Sequence, residues 1–192
     1  MNVVAFNGSA RKDGNTAILV RRALSVLEDQ GVSTRLIQLA GQRVHGCTAC
    51  MKCAEVADGS CPGIRDFISE ECIPAALAAD GIIIASPVYF GDVTSETKAL
   101  IDRLGYAARK GENRLARKVG AGVAAVRRAG ALHALDTINH LFLATEMVVV
   151  GSSYWNLGLG REVGDVESDE EGLRTMETLG RNMAWALGKL NA

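Results

Sequence analysis

Two hydrophobic periods trade places along this chain from end to end. Val3–Phe6 is a short continuous apolar run, the pattern of a buried strand. Thr16–Gln30 then places Ile18, Leu19, Ala23, Leu24, Val26 and Leu27 on one helical stripe, and Gly31 closes it. Thr34–Leu39 predicts a second strand. Gly81–Ala85, with its GIIIA core, predicts a central strand buried on both faces. A helix is predicted over Glu96–Tyr106, a strand over Gly120–Val126 and a helix over Leu132–Ala144. Met147–Val150 follows as a strand and Glu170–Leu190 as a closing helix. Strands alternating with helices imply βαβ units, so the expected fold is α/β. The expected architecture is a doubly wound, five-stranded parallel sheet in a three-layer αβα arrangement.

The periodicity stops between Ala40 and Asp66, where Gly, Pro and four cysteines collect. A loop of that length inside a compact domain is usually functional. There is no internal repeat and no shift in composition, so one domain over residues 1–192 is expected, with a cysteine-rich loop at about 40–66.

With 48% hydrophobic residues the chain can fill a sizeable core. A net charge of −1 gives no reason to expect binding to nucleic acid or to a membrane surface. The N-terminus MNVVAFNGSARKDGNT lacks a basic region leading into an apolar stretch, and no apolar run approaches the ~20 residues that span a bilayer. A soluble cytoplasmic protein is expected. In a reducing compartment, five cysteines favour metal or redox chemistry over structural disulfides.

Three loops carry candidate chemistry. Gly8-Ser9-Ala10-Arg11-Lys12-Asp13-Gly14-Asn15-Thr16 joins the first strand to the first helix. Backbone N–H groups and the helix dipole make such a junction an anion site, to which Ser9, Asn15 and Thr16 add donors and Arg11 a cation. Helix capping would explain one or two of these residues, but not Arg11 and both glycines as well. The spacing fits neither G-x-G-x-x-G nor a Walker loop. After the GIIIA strand, Pro87 stiffens the chain, Gly91 admits close backbone, and Tyr89 and Phe90 offer an apolar wall for a flat cofactor. An ordinary turn with two incidental aromatics is the plainer alternative. The third loop, Val126-Arg127-Arg128-Ala129-Gly130, follows the fourth predicted strand; its arginines either face the cofactor or are simply solvated.

Cys47, Cys50, Cys53 and Cys61 form C-x2-C-x2-C-x7-C. The C-x2-C-x2-C core and the Pro62 after the last cysteine match bacterial ferredoxin ligation of a 4Fe-4S cluster, although the last gap is wider. Structural zinc, with His45 in place of one cysteine, fits less well because four-cysteine zinc sites bring two separated knuckles. Metal-free thiols remain the third reading. Cys72, near an apolar stretch, is expected in the core. His133 and His140, seven apart on one predicted helix, receive no role.

G-S-x-R-x-x-G-N-T resembles the phosphate loop of the NADPH-dependent FMN reductase branch of flavodoxin-like proteins, with Ala10 where many members carry Pro. Ser86–Thr94 resembles that family's S-P-x-Y-x-G-x-x-[ST] stretch, and Leu100–Leu104 (LIDRL) continues the likeness. Tyr154-Trp155-Asn156 and the acidic Gly164–Gly172 stretch also look family-like. The cysteine spacing, between the second strand and the next helix, resembles that of iron–sulfur flavoproteins. The resemblance implies a flavodoxin-like fold and FMN held by Ser9, Arg11, Asn15, Thr16, Pro87, Val88, Tyr89, Phe90, Gly91, Arg127 and Gly130. It further implies a 4Fe-4S cluster on the four cysteines, electron exchange with a ferredoxin-like carrier or NAD(P)H, and a homodimer or homotetramer. No catalytic acid or base is expected. The expected activity is that of an FMN-dependent oxidoreductase; the alternatives are a cluster-free NAD(P)H-dependent FMN or quinone reductase and a non-enzymatic flavodoxin-like carrier.

Overall fold

In a computed structural model of the protein, residues 1–190 are described; the last two residues of the expected domain lie outside them. Strand β1 (Asn2–Asn7) leads into helix α1 (Asn15–Asp29), and β2 (Ser33–Gln38) precedes the cysteine-rich loop, which contains one short helix, α2 (Lys52–Val56). The chain then forms a π-helical turn (Ile68–Cys72), α3 (Ile73–Ala78), β3 (Gly81–Pro87), α4 (Ser95–Ala108), β4 (Val119–Val126) and α5 (Ala131–Ala144). Strands β5 (Val148–Val149) and β6 (Leu157–Leu159) and a 3-10 turn (Asp165–Ser168) lead to the long helix α6 (Glu170–Leu190).

All pairings in the sheet are parallel, in the order β2-β1-β3-β4-β5, with β6 also on β4. Successive strand residues face opposite sides, which divides the core in two. Val4, Phe6, Ile82 and Ile84 pack under α3, α4 and α5 together with Ile73, Leu100, Leu104, Ile138 and Phe142. Val3, Ala5, Ile83, Ala85, Ala121 and Val123 face α1 and α6 with Leu19, Leu24, Leu27, Leu179 and Met183. The expected three-layer, flavodoxin-like α/β arrangement is the observed one.

Two local features differ from the periodicity. The fifth strand was expected over Met147–Val150 but pairs only at Val148 and Val149, opposite Val119 and Gly120. The chain then leaves the sheet, held by Ser152 Oγ bonding to Tyr154 O and Asn156 Oδ1, and returns as β6 opposite Ala124–Val126. The stretch before β3, unassigned from sequence, is helical over Ile68–Ala78. Its Pro74 falls in the first turn of α3, directly after the π-helical turn. Among the described residues, no helix is long and apolar enough to cross a membrane.

Gly180 lets α6 lie directly on α1: a Cβ there would stand 2.7 Å from the Ala23 carbonyl oxygen. Gly180→Ala should therefore lower stability by about 1–3 kcal/mol through overpacking. That outweighs the ~1 kcal/mol that Ala gains over Gly in a helix. A urea midpoint equal to or above wild type would show that the two helices part without cost.

Candidate functional site

The Gly8–Thr16 loop leaves β1 at its carboxyl end and turns directly into α1. No side chain caps α1 at Gly14, so its first backbone N–H groups point into the loop without an internal acceptor. Ser9 is buried; its N–H donates to Asn7 Oδ1 at 3.0 Å and its hydroxyl accepts the Arg11 N–H at 3.1 Å. Gln38 Nε2 donates to Ser9 O at 2.6 Å, and Asn7 Nδ2 donates to Gln38 Oε1 at 2.7 Å. The fully buried Asn7 and the end of β2 thus brace the loop from below. Thr16 is buried at the start of the helix, and Arg11 is exposed on the rim. Asp13, the one acid in the loop, is paired with Arg21 at 2.6 Å, which offsets its repulsion of an anion. The arrangement is suited to a phosphate.

Asn15 does something else. Its Nδ2 donates to Glu162 O at 2.8 Å and its Oδ1 accepts the Gly164 N–H at 2.9 Å. The side chain ties the start of α1 to the segment before α6.

A buried hydrogen-bond knot joins the first loop to the second. Thr94 Oγ1 donates to Gly8 O at 2.8 Å, lies 2.9 Å from Thr97 Oγ1 and caps α4 by accepting the Thr97 N–H. The Thr94 N–H donates to Ser86 Oγ at 3.0 Å. Gly8 is obligatory here because a Cβ would overlap Thr97 Oγ1. Pro87 ends β3, and the Val88 N–H donates to Ala125 O at 3.0 Å. Tyr89 and Asp92 then close a tight turn by bonds of 2.8 and 3.1 Å, with Phe90 and Gly91 both left-handed at φ 48° and 87°. Glycine takes that conformation freely, whereas phenylalanine is strained in it. The turn holds the Phe90 side chain fully in solvent, while Tyr89 is about half exposed.

Gly130, at φ 92°, brings the third loop against the second: a Cβ would stand 2.9 Å from Val88 Cγ1 and 3.1 Å from Gly91 Cα. Arg127 and Arg128 are exposed beside it. His133 Nε2 lies 3.5 Å from Asp92 Oδ2, so α5 touches the second loop as well. The structure therefore brings Ser9, Arg11, Thr16, Pro87–Gly91, Arg127 and Gly130 to one end of the sheet, beyond the carboxyl ends of β1, β3 and β4, the usual binding crevice of such sheets.

All four clustered cysteines line a second pocket, closed on the α4 side by Arg103 and Tyr106. The backbone curls around it through left-handed residues, Ala49 and Met51 at φ 52° and 61°, interleaved with the cysteines. Such alternation aims N–H groups into a concavity that favours an anion. The Cys50 sulfur occupies the space that a Cβ on Gly63 would fill. The thiols are free, and among the described residues no three metal-ligating side chains converge on a point that one ion would occupy. The cysteines ring the pocket instead. Burial, followed by the neighbouring Cys61, pushes the Cys53 thiol up, whereas the Lys52 backbone N–H draws Cys50 down. Cys72 is fully buried in the core as expected, its thiol pushed up to about 12 mainly by burial.

The loop is fastened by a residue that periodicity did not single out. Arg103 Nη1 donates to both oxygens of Asp66 at 2.7 and 2.6 Å and to His45 O at 3.1 Å. Nη2 donates to Ile64 O at 2.9 Å, and Nε approaches Cys61 Sγ at 3.4 Å. Both charged side chains are wholly buried. Asp66 also accepts the His45, Ile68 and Ser69 N–H groups. One signal was available: in LIDRL the arginine sits beside Leu104 on the buried stripe of α4, where an unpaired charge would not be tolerated. Thr94 stood only as the last position of the S-P-x-Y-x-G-x-x-[ST] likeness, and Asn7, Gln38 and Thr97 left no comparable trace.

Fold and loops define a flavodoxin-like flavin site class with a cysteine loop appended. The chain matches the profile of the family described as NADPH-dependent FMN reductase over residues 1–162. It is 39% identical to an iron–sulfur flavoprotein of Methanocaldococcus jannaschii, over 96% of each chain. It is 30% identical to an iron–sulfur flavoprotein of Methanosarcina thermophila, over 95% of this chain and 93% of that one. Among solved structures, RosB with bound 8-demethyl-8-formylriboflavin-5'-phosphate superposes with a TM-score of 0.78 at 16% identity, covering all of this chain and 80% of that one. An archaeal flavodoxin superposes with a TM-score of 0.64 at 14% identity, covering 98% and 99%. The chain belongs to the NADPH-dependent FMN reductase family, in its iron–sulfur flavoprotein branch, and is a flavoprotein oxidoreductase.

Burial raises the Asp66 pKa, but Arg103 and the Ser69 and His45 N–H groups outweigh it and hold the carboxyl below its usual value. A carboxylate depressed on folding stabilises above its unfolded pKa, about 3.9, and loses that contribution as pH falls through the folded value. Asp66→Asn should therefore be destabilised at pH 7 and should flatten the fall in stability below about pH 4. Parallel acid unfolding curves for variant and wild type would show that Asp66 does not titrate between the two states.

Proposed function

We propose that this protein passes electrons between a two-electron and a one-electron partner through FMN, held by the three loops, and a 4Fe-4S cluster, held by Cys47, Cys50, Cys53 and Cys61. FMN, when bound, takes electrons singly or in pairs, and a cluster takes them one at a time. The observation that carries the reading is the second pocket: four thiols on a backbone curled through left-handed residues, with no competing carboxylate or imidazole among its lining residues. This donor set suits a soft, anionic cluster spread across a pocket better than a single ion held at one point.

The chain's own part is position and field. The uncapped start of α1, with the backbone of Ser9–Thr16 and the side chains of Ser9, Arg11 and Thr16, receives the FMN phosphate. Pro87–Gly91 and Gly130 present backbone to the ring edge, and Arg127 supplies positive potential where the reduced ring carries charge. No side chain needs to move a proton between heavy atoms. NAD(P)H and a ferredoxin-like carrier are the two kinds of partner the reading requires.

Iron and acid-labile sulfide, measured per FMN in protein purified without oxygen, should each come to about four. Cys47→Ser and Cys61→Ser should lose most of both while keeping FMN. FMN without iron or sulfide in the wild type would favour the second reading, a cluster-free NAD(P)H-dependent reductase. Arg11→Ala tests the flavin half: FMN affinity should fall by about 1.5–3 kcal/mol, the worth of a charge-assisted bond. Riboflavin, which lacks the phosphate, should bind as it does to wild type; an equal loss for both flavins would remove Arg11 from the phosphate site.

A further inference from the structure

Arg103 has the largest fully buried side chain among the described residues. Its anchoring work is complete without one of its donors. Nη1 and Nη2 already hold both flanks of the cysteine loop, through His45 O before Cys47 and through Asp66 and Ile64 O after Cys61. Nε is left over, and it points at Cys61 Sγ from 3.4 Å. Cys61 is only partly buried, and its sulfur lines the pocket with the other three thiols. A strut would need no donor there.

We propose that Arg103 is a positioning residue that acts on the cysteine-loop site electrically: it donates Nε–H to the Cys61 sulfur and sets the electron affinity of the group the four cysteines hold. The inference rests on the cluster reading above. One-electron reduction of such a group adds a negative charge and breaks no bond. A fixed cation and an N–H donor at one sulfur favour the reduced form and raise the reduction potential. Asp66, bound to the same guanidinium through Nη1, partly offsets that field. The pair therefore works in opposition: Arg103 raises the potential and Asp66 lowers it. Because Arg stays protonated at any working pH, the effect carries no pH dependence of its own.

The test is a dye-mediated redox titration of the holoprotein, prepared without oxygen and followed by the cluster's paramagnetic signal, for wild type, R103Q, R103K and D66N. R103Q should shift the midpoint downward by at least a tenfold change in the one-electron equilibrium, about 59 mV. D66N should shift it upward, and R103K, which keeps the charge but not the fork, should fall between R103Q and wild type. FMN content should be unchanged in all three, because Arg103 does not reach the flavin loops. A structural anchor alone predicts shifts of the same sign, or loss of iron from both R103Q and D66N, and either result would overturn the inference. An unchanged midpoint in a fully loaded R103Q overturns it while leaving the cluster reading intact. Wild type without iron and sulfide overturns the cluster reading and this inference with it.

Discussion

A guanidinium and a carboxylate buried together, Arg103 on α4 and Asp66 at the end of the cysteine loop, form the contact on which the appended site depends. Placing two charges in a core is expensive, and a well-packed apolar pair of the same volume would often be as stable or more so. Its use here is geometric. Arg103 has donors for three backbone or side-chain partners on both flanks of the loop, and Asp66 has lone pairs for three backbone N–H groups. A long segment without regular structure is thereby given one conformation. Removing either partner would strand a charge in the core, which costs several kcal/mol, so the loop's arrangement is held by a penalty as much as by an attraction.

Helix α4 is where the two sites meet. Its cap, Thr94, bonds the carbonyl of Gly8 in the phosphate loop and reaches Ser86 at the end of β3. Arg103 lies nine residues further along the same helix, about 14 Å of axial rise. A rigid rod with one end in the flavin loops and its third turn against the thiols fixes the two loop clusters relative to each other. The network at Gly8, Thr94 and Thr97 is buried, where hydrogen bonds are hard to exchange for water.

The strained turn at Phe90 belongs to the same logic. A phenylalanine at positive φ, next to a glycine at positive φ, forms a turn whose backbone rather than its side chain faces the third loop. Tyr89 and Phe90, the expected wall for a flat cofactor, stand half and fully in solvent, while Val88 packs between Gly130 and the sheet.

The sequence by itself determined the α/β layers, the strand–loop–helix junction at Gly8–Thr16 and the clustering of four thiols. Each is a local property: period, turn chemistry and spacing are legible without knowing what packs on what. Ile68–Ala78 was not legible because a π-helical turn and a proline interrupt the helical period. The division of the fifth strand was hidden for a different reason, since the 151–156 excursion is held by polar bonds, within itself and from Asn182 and Ala124, and changes no hydrophobic pattern. Which polar residues brace the site was decided only by tertiary structure. Asn7 and Gln38 meet because β1 and β2 pair in register, and Arg103 meets Asp66 and Cys61 across separations of 37 and 42 residues. A buried polar side chain is tolerated only where the fold supplies its partner, and that partner is chosen by packing, which no stretch of sequence contains.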